Sequence, residues 1–162
     1  MEKIYGTPIR QDGLQRIGPD TWLLYFGLYE TSDGSTYEYR QTFKHKPTLD
    51  EIKKEIVSAI KEESAHRLRY GLQWNGLPVE YTEERKSDLT GIIVGIQSGF
   101  VQLPIEINLG SAEDGMPSIY TFTTAEEISD VAALIAGHKT AVAKAEWNEI
   151  NALDLEVFTT EK

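Results

Sequence analysis

An α+β fold, in which antiparallel β-hairpins are covered by three helices and strand–strand–helix units follow in series, is predicted by three features of the sequence. Asn-Gly or Asp-Gly steps separate strand-like runs, each hairpin is followed by a threonine at a helix start, and apolar residues then recur at helical spacing.

The elements follow in chain order. Asp33-Gly34 separates residues 22–29 from 36–43, both rich in aromatic side chains that suit a pleated sheet. A two-residue type I′ turn needs positive φ at both central positions, which Asp-Gly and Asn-Gly tolerate. Thr48-Leu49-Asp50-Glu51 then reads as a capping box, with Leu49, Ile52, Ile56, Ile60 and Leu68 on one helix face and Gly71 as the stop. Asn75-Gly76 separates residues 72–74 from 77–81, where Pro78 assigns the second strand to a sheet edge. A helix starts near Thr82, with Glu83 and Glu84 at its positive dipole end, turns Leu89, Ile92, Ile93 and Ile96 inward, and stops by Gly99. Asp114-Gly115 lies in a longer loop between residues 103–109 and 118–122, where Ile105, Ile107 and Leu109 alternate with Glu106 and Asn108. The last helix begins at Thr124 with Glu127 completing a capping box. It runs to about residue 153, burying Ile128, Val131, Leu134, Ile135, Val142, Trp147 and Ile150. Residues 155–158 add a short strand or fray. The turn glycines 34, 76 and 115 recur at similar spacing without other matching residues, so one building block is reused. A division between 69 and 70 gives an N-terminal strand–strand–helix module, 1–69, and a C-terminal hairpin–helix–hairpin–helix module, 70–162.

Composition narrows the chemistry. A chain of 162 residues, 40% apolar, builds a core without disulfides or a structural metal. Cysteine is absent, which removes disulfide frameworks, thiolate metal sites and cysteine nucleophiles. The net charge of −10 repels phosphate backbones and anionic lipid, so neither nucleic acid nor a membrane surface is an expected partner. Residues 1–70 carry 11 charges of each sign, whereas residues 71–162 carry 5 basic and 15 acidic, which marks either an interaction surface or two differently solvated segments. The uncharged run 89–105 contains Gly91, Gly95, Gly99 and Pro104 and reads as a core helix followed by a strand rather than a span. The start Met1-Glu2-Lys3-Ile4-Tyr5 lacks a basic region followed by an apolar stretch, so no secretory signal is expected.

No convergent catalytic set emerges. Glu63 and His66 have the i, i+3 spacing of carboxylate-bridged metal sites, but a second copy is missing. His138 has no carboxylate at neighbouring helical positions, and His45 lies in a basic patch with Lys44 and Lys46. Glu113-Asp114-Gly115 lacks the alternating acids of a calcium loop, and no phosphate-cradling glycine motif or nucleophile elbow occurs. No catalytic residue, metal, cofactor or small-molecule substrate is therefore expected. Gly91 and Gly95 have the spacing of a close helix approach. The aromatic residues crowding the first quarter either form an exposed sheet surface for protein or carbohydrate or are covered as a second core face. Tyr25, Tyr29, Tyr37, Tyr39, His45 and Trp74 are the candidate partner contacts. The reading is a non-enzymatic module that contacts proteins, including further copies of itself. The alternative is a carboxylate-based glycan-active enzyme or carbohydrate-binding module using the aromatic hairpin.

One stretch carries a family likeness. Tyr70-Gly71-Leu72-Gln73-Trp74-Asn75-Gly76-Leu77-Pro78-Val79-Glu80-Tyr81-Thr82, then Leu103-Pro104, Tyr120-Thr121-Phe122-Thr123 before Glu126-Glu127, and an alanine-rich helix with His138 and Trp147 are similar to a phage-associated domain of unknown function. That family occurs in bacteriophage and prophage proteins, often near tail-fibre genes. The likeness spans about residues 68–153 and brings no catalytic or ligand residues with it. It implies a tail-associated structural or assembly protein, located in the host cytoplasm or the virion.

Overall fold

The computed structural model describes residues 1–159, and within them the α+β expectation holds. The elements are β1 (Glu2–Tyr5), β2 (Gly13–Gly18), β3 (Thr21–Glu30), β4 (Thr36–Phe43), α1 (Leu49–Tyr70), β5 (Leu72–Trp74), β6 (Leu77–Val79), α2 (Glu83–Gln97), β7 (Ile105–Ser111), β8 (Pro117–Phe122) and α3 (Ala125–Asn151). A 3₁₀ helix, Leu155–Phe158, follows. The chain divides into two compact units: Met1–Glu62 together with the described residues from Asn148 onward, and Glu63–Trp147. The expected cut at 69/70 falls in the last turn of α1, and the end of the chain joins the first unit rather than the second. Residues 160–162 of the expected second module lie outside the described residues.

The first unit is an antiparallel sheet of order β1-β4-β3-β2. Its core face carries Leu14, Trp22, Leu24, Phe26, Tyr37 and Tyr39, packed with Ile52, Ile56, Ala59 and Ile60 of α1. Leu49 departs from the expected stripe: it stands at the first helical position and stays exposed. β3 contains a bulge between Phe26 and Tyr29, so that Phe26 opposes Tyr39 but Tyr29 opposes Tyr37. Gly27 makes this possible, with φ of 75° and no room for a Cβ, which would come 2.4 Å from the Tyr29 ring. Two strands, β1 and β2, escape the sequence reading because they are short and not strongly alternating edge segments. The tail is neither strand nor frayed. Asp154 caps a 3₁₀ turn by accepting from the Glu156 amide, and Phe158 inserts into the core with Leu153 and Leu155 packed beside it.

The second unit pairs β5 with β6 and β7 with β8. Its core is Leu72, Val79, Tyr81, Leu89, Leu109, Phe122, Ile128, Val131 and Ile135. Ile128, Val131, Ile135 and Val142 of α3 are buried as expected, but Leu134 and Trp147 point outward and remain exposed. No helix among the described residues is long and apolar enough to cross a membrane.

The turns separate into two kinds. Asn75 and Gly76 have φ of 47° and 77°, the type I′ pattern between Trp74 and Leu77. At Asp33-Gly34 only the glycine has positive φ, which overturns the two-residue reading. Residues 31–35 form a longer loop, closed by Thr31 N–H to Ser35 O and Gly34 N–H to Thr31 O. Asp33 accepts from the Ser35 amide inside it. Residues 112–116 repeat the same three bonds around Asp114-Gly115. All three helix starts are capped as expected. Thr48 and Glu51 exchange bonds, Thr82 accepts from the Arg85 amide, and Glu127 accepts from the Thr123 and Thr124 amides.

Candidate functional site in the second unit

The six contact residues expected from the sequence fall in different environments. Tyr37 and Tyr39 are buried and Tyr29 is half-buried against the first core, since the bulge and the alternation of β4 place all three on the covered face. Lys3 lies over this cluster, its Nζ 4.6 Å from the Tyr37 ring centre and 5.5 Å from that of Tyr39. The Tyr29 hydroxyl donates to Glu149 Oε1 at 3.1 Å. Tyr25 points to the opposite face, partly open, and donates to Gln15 Oε1 at 3.1 Å. His45 is exposed, with Nε2 3.0 Å from the Glu51 carboxylate that also caps α1. Trp74 packs half-buried on the second core, edge-on to Tyr120, and its Nε1 is buried with no hydrogen-bond partner.

The histidines do not converge. His66 Nε2 lies 2.9 Å from Glu113 Oε1, while Glu63 is buried. His138 Nε2 lies 3.0 Å from Leu68 O and 3.2 Å from Arg67 O. Carbonyl oxygens only accept, so this nitrogen carries the proton and His138 caps the C-terminal turn of α1. Among the described residues no group of three or more histidines and carboxylates could hold a metal ion.

Glu80 was not singled out by sequence, yet it organises one side of the second unit. Its Oε1 accepts from Arg69 at 2.9 Å and its Oε2 from the Ser111 amide at 3.1 Å. The Ser111 N–H, followed by the Arg69 guanidinium, pulls the Glu80 carboxyl below its ordinary range. Gly110, at φ of 113°, lets the β7 backbone approach, since a Cβ there would come 2.4 Å from Glu80 Cβ. Nothing in the local spacing of residues 69, 80 and 111 signals this meeting; it requires the second unit to be folded.

The surface that calls for a function is α2. From Leu89 to Ile96 its sequence is apolar apart from Thr90 and two glycines; Leu89, Ile92, Ile93 and Ile96 share one face, and Val94 lies on the other. Here only Leu89 is fully buried, Ile92, Ile93 and Ile96 are partly so, and Val94 is 55% exposed. Gly95 packs on Val101, which a Cβ would meet at 2.6 Å, whereas nothing lies within 4 Å of a Cβ built on Gly91. The close helix approach foreseen for the glycine pair is not what meets it: Gly95 is contacted by Val101 from the segment after α2, and Gly91 is open. A groove of about 530 Å³ runs along the helix from Glu83 through Thr90 and Gly91 to Val94. A second, about 470 Å³, adjoins it at Ser87 and Gly91 and is walled by Leu89, Ile92, Val101 and Ile107 together with the polar Arg85, Asp88 and Asn108. Just past the helix end Phe100, whose amide donates to Gly95 O, is 89% exposed. Val94 and Phe100 thus leave apolar side chains open to solvent at this end of α2.

Compared with known proteins, the chain matches no family model, no curated protein and no solved structure.

Proposed function

We propose that the chain is a non-enzymatic protein-interaction module whose contact surface is the exposed side of α2 with Phe100. The observation that supports this is the outer side of the second half of α2, where Gly91 and Val94 face solvent beside a phenylalanine that is 89% exposed. Burying a phenylalanine contributes about 1.5–3 kcal/mol, enough for one such anchor to govern a contact. The reading does not use Tyr37 and Tyr39, which the first core covers. We further propose, from the likeness in residues 68–153, that the partner is a phage structural or assembly protein. The test is capture of purified products of the adjacent genes, with light scattering to detect self-association. Wild type should bind one of them, and the Phe100→Ser, Val94→Ser double variant should bind about tenfold or more weakly. A monomer that captures none, or a double variant that binds as well as wild type, defeats the proposal.

A further inference from the structure

The first unit contains a polar group that the interaction surface does not use. Glu38 lies on β4 between Tyr37 and Tyr39, so its side chain points to the face opposite the core, where a carboxylate would ordinarily meet water. It is nevertheless only 6% exposed, and its Oε2 is buried without a hydrogen-bond partner. The cover comes from the topology. β1 and β2 are the two opposite edges of the sheet, so residues 6–12, which join them, must cross β4 and β3. The crossing is pinned at both ends. Gly6 N–H donates to Thr36 O, Thr36 Oγ1 donates to Thr7 O, and Asp12 Oδ1 accepts from the bulge amide of Gly27 at 2.9 Å. Between those pins Arg10 lies over the Phe26 ring, and Ile9 is 62% exposed.

We propose that residues 6–12 form a proton-controlled strap, closed over Glu38 while that carboxyl carries a proton and lifted when it ionises, exposing Glu38. Burial pushes the Glu38 carboxyl above its ordinary range, opposed by the Thr7 hydroxyl bond and by Arg40 and reinforced by Asp12. The charged groups acting on it are Arg40 on its own strand and Asp12 on the strap, and Arg40 in turn pairs with Glu2 on β1 at 3.5 Å. Arg10 pairs with Asp12 at 2.7 Å, and its guanidinium lies over the ring of core-face Phe26, 5.6 Å from the ring centre. Oε2 of Glu38 is buried without a partner, so lifting the strap hydrates an orphaned atom. The sign follows from linkage. A carboxyl whose closed-state pKa is raised favours the closed state at low pH and loses that contribution as pH rises through the raised value.

Hydrogen exchange of peptides covering residues 6–12, corrected for intrinsic rates, tests this in the full chain. Between pH 4 and pH 7 opening in wild type should increase by about tenfold for each unit separating the closed and open pKa values of Glu38. Glu38→Gln, which stays neutral, should hold the strap closed at both pH values. The same pH dependence in Glu38→Gln, or none in wild type, overturns the proposal. Carboxyl-carbon NMR titration of wild type supplies a measurement independent of that variant's folding. Glu38 must titrate above the ordinary carboxylate range, and a midpoint within that range also overturns it.

Discussion

Replacing Phe158 by alanine probes the most consequential difference between chain order and structure. Phe158 is 3% exposed and lies in the first core, over a hundred residues after the strands it packs against. Truncating a buried phenylalanine costs about 3–5 kcal/mol, the lost transfer energy plus the cavity left behind. For a chain of this length each kcal/mol lowers the melting temperature by about 2–4 °C, so Phe158→Ala should lower it by about 6–20 °C. Val157, its neighbour in the same 3₁₀ turn, is 41% exposed and provides the control, since Val157→Ala removes little buried surface. Thermal melts followed by far-UV circular dichroism and tryptophan fluorescence read both variants, with Trp22 reporting from the first core. If Phe158→Ala and Val157→Ala melt within about 1 °C of each other, the tail does not complete the first core and the reasoning fails.

Two further substitutions test the internal geometry. Glu80→Ala leaves the half-buried Ser111 amide unsatisfied and should cost about 2 kcal/mol in urea unfolding at pH 7, Arg69 adding little because it is solvent-screened. Because the folded-state carboxyl is depressed, the contribution is present above its ordinary range and lost as pH falls through the folded value; the gap to wild type should therefore narrow by pH 3, and a gap independent of pH contradicts the assignment. Gly27→Ala forces an L side chain into a positive φ at a cost of about 1–2 kcal/mol and drives its Cβ into the Tyr29 ring. Lower stability with an altered near-UV aromatic signal is expected, and an unchanged melt with an unchanged signal refutes the role given to the bulge.

How much was legible in sequence depends on how local the cause was. Thr48 with Glu51 and Thr124 with Glu127 are caps made by residues three apart, and Asn75-Gly76 sets its own dihedral angles, so these were readable from the chain alone. Asp33-Gly34 was located but mistyped, because the choice between a two-residue turn and a five-residue loop depends on where β3 and β4 stop pairing. The contact residues fared differently. Aromatic alternation predicted that Tyr37 and Tyr39 share a face but not that this face would be the covered one. The exposed side of α2 was missed because Val94 stands inside an apolar run whose isoleucines do face the core.

By itself, then, the amino-acid sequence determined the α+β class, the three capped helices and the hairpins, all products of interactions within a few residues where backbone geometry and hydrogen bonding decide. Tertiary structure alone decided that the chain's end completes the first unit, that β1 and β2 become opposite edges joined across Glu38, and that Glu80 meets Ser111 and Arg69. These outcomes depend on burial between distant segments, and apolar burial is non-directional: it rewards the area removed from water and carries no record in the local sequence of which partner supplies it.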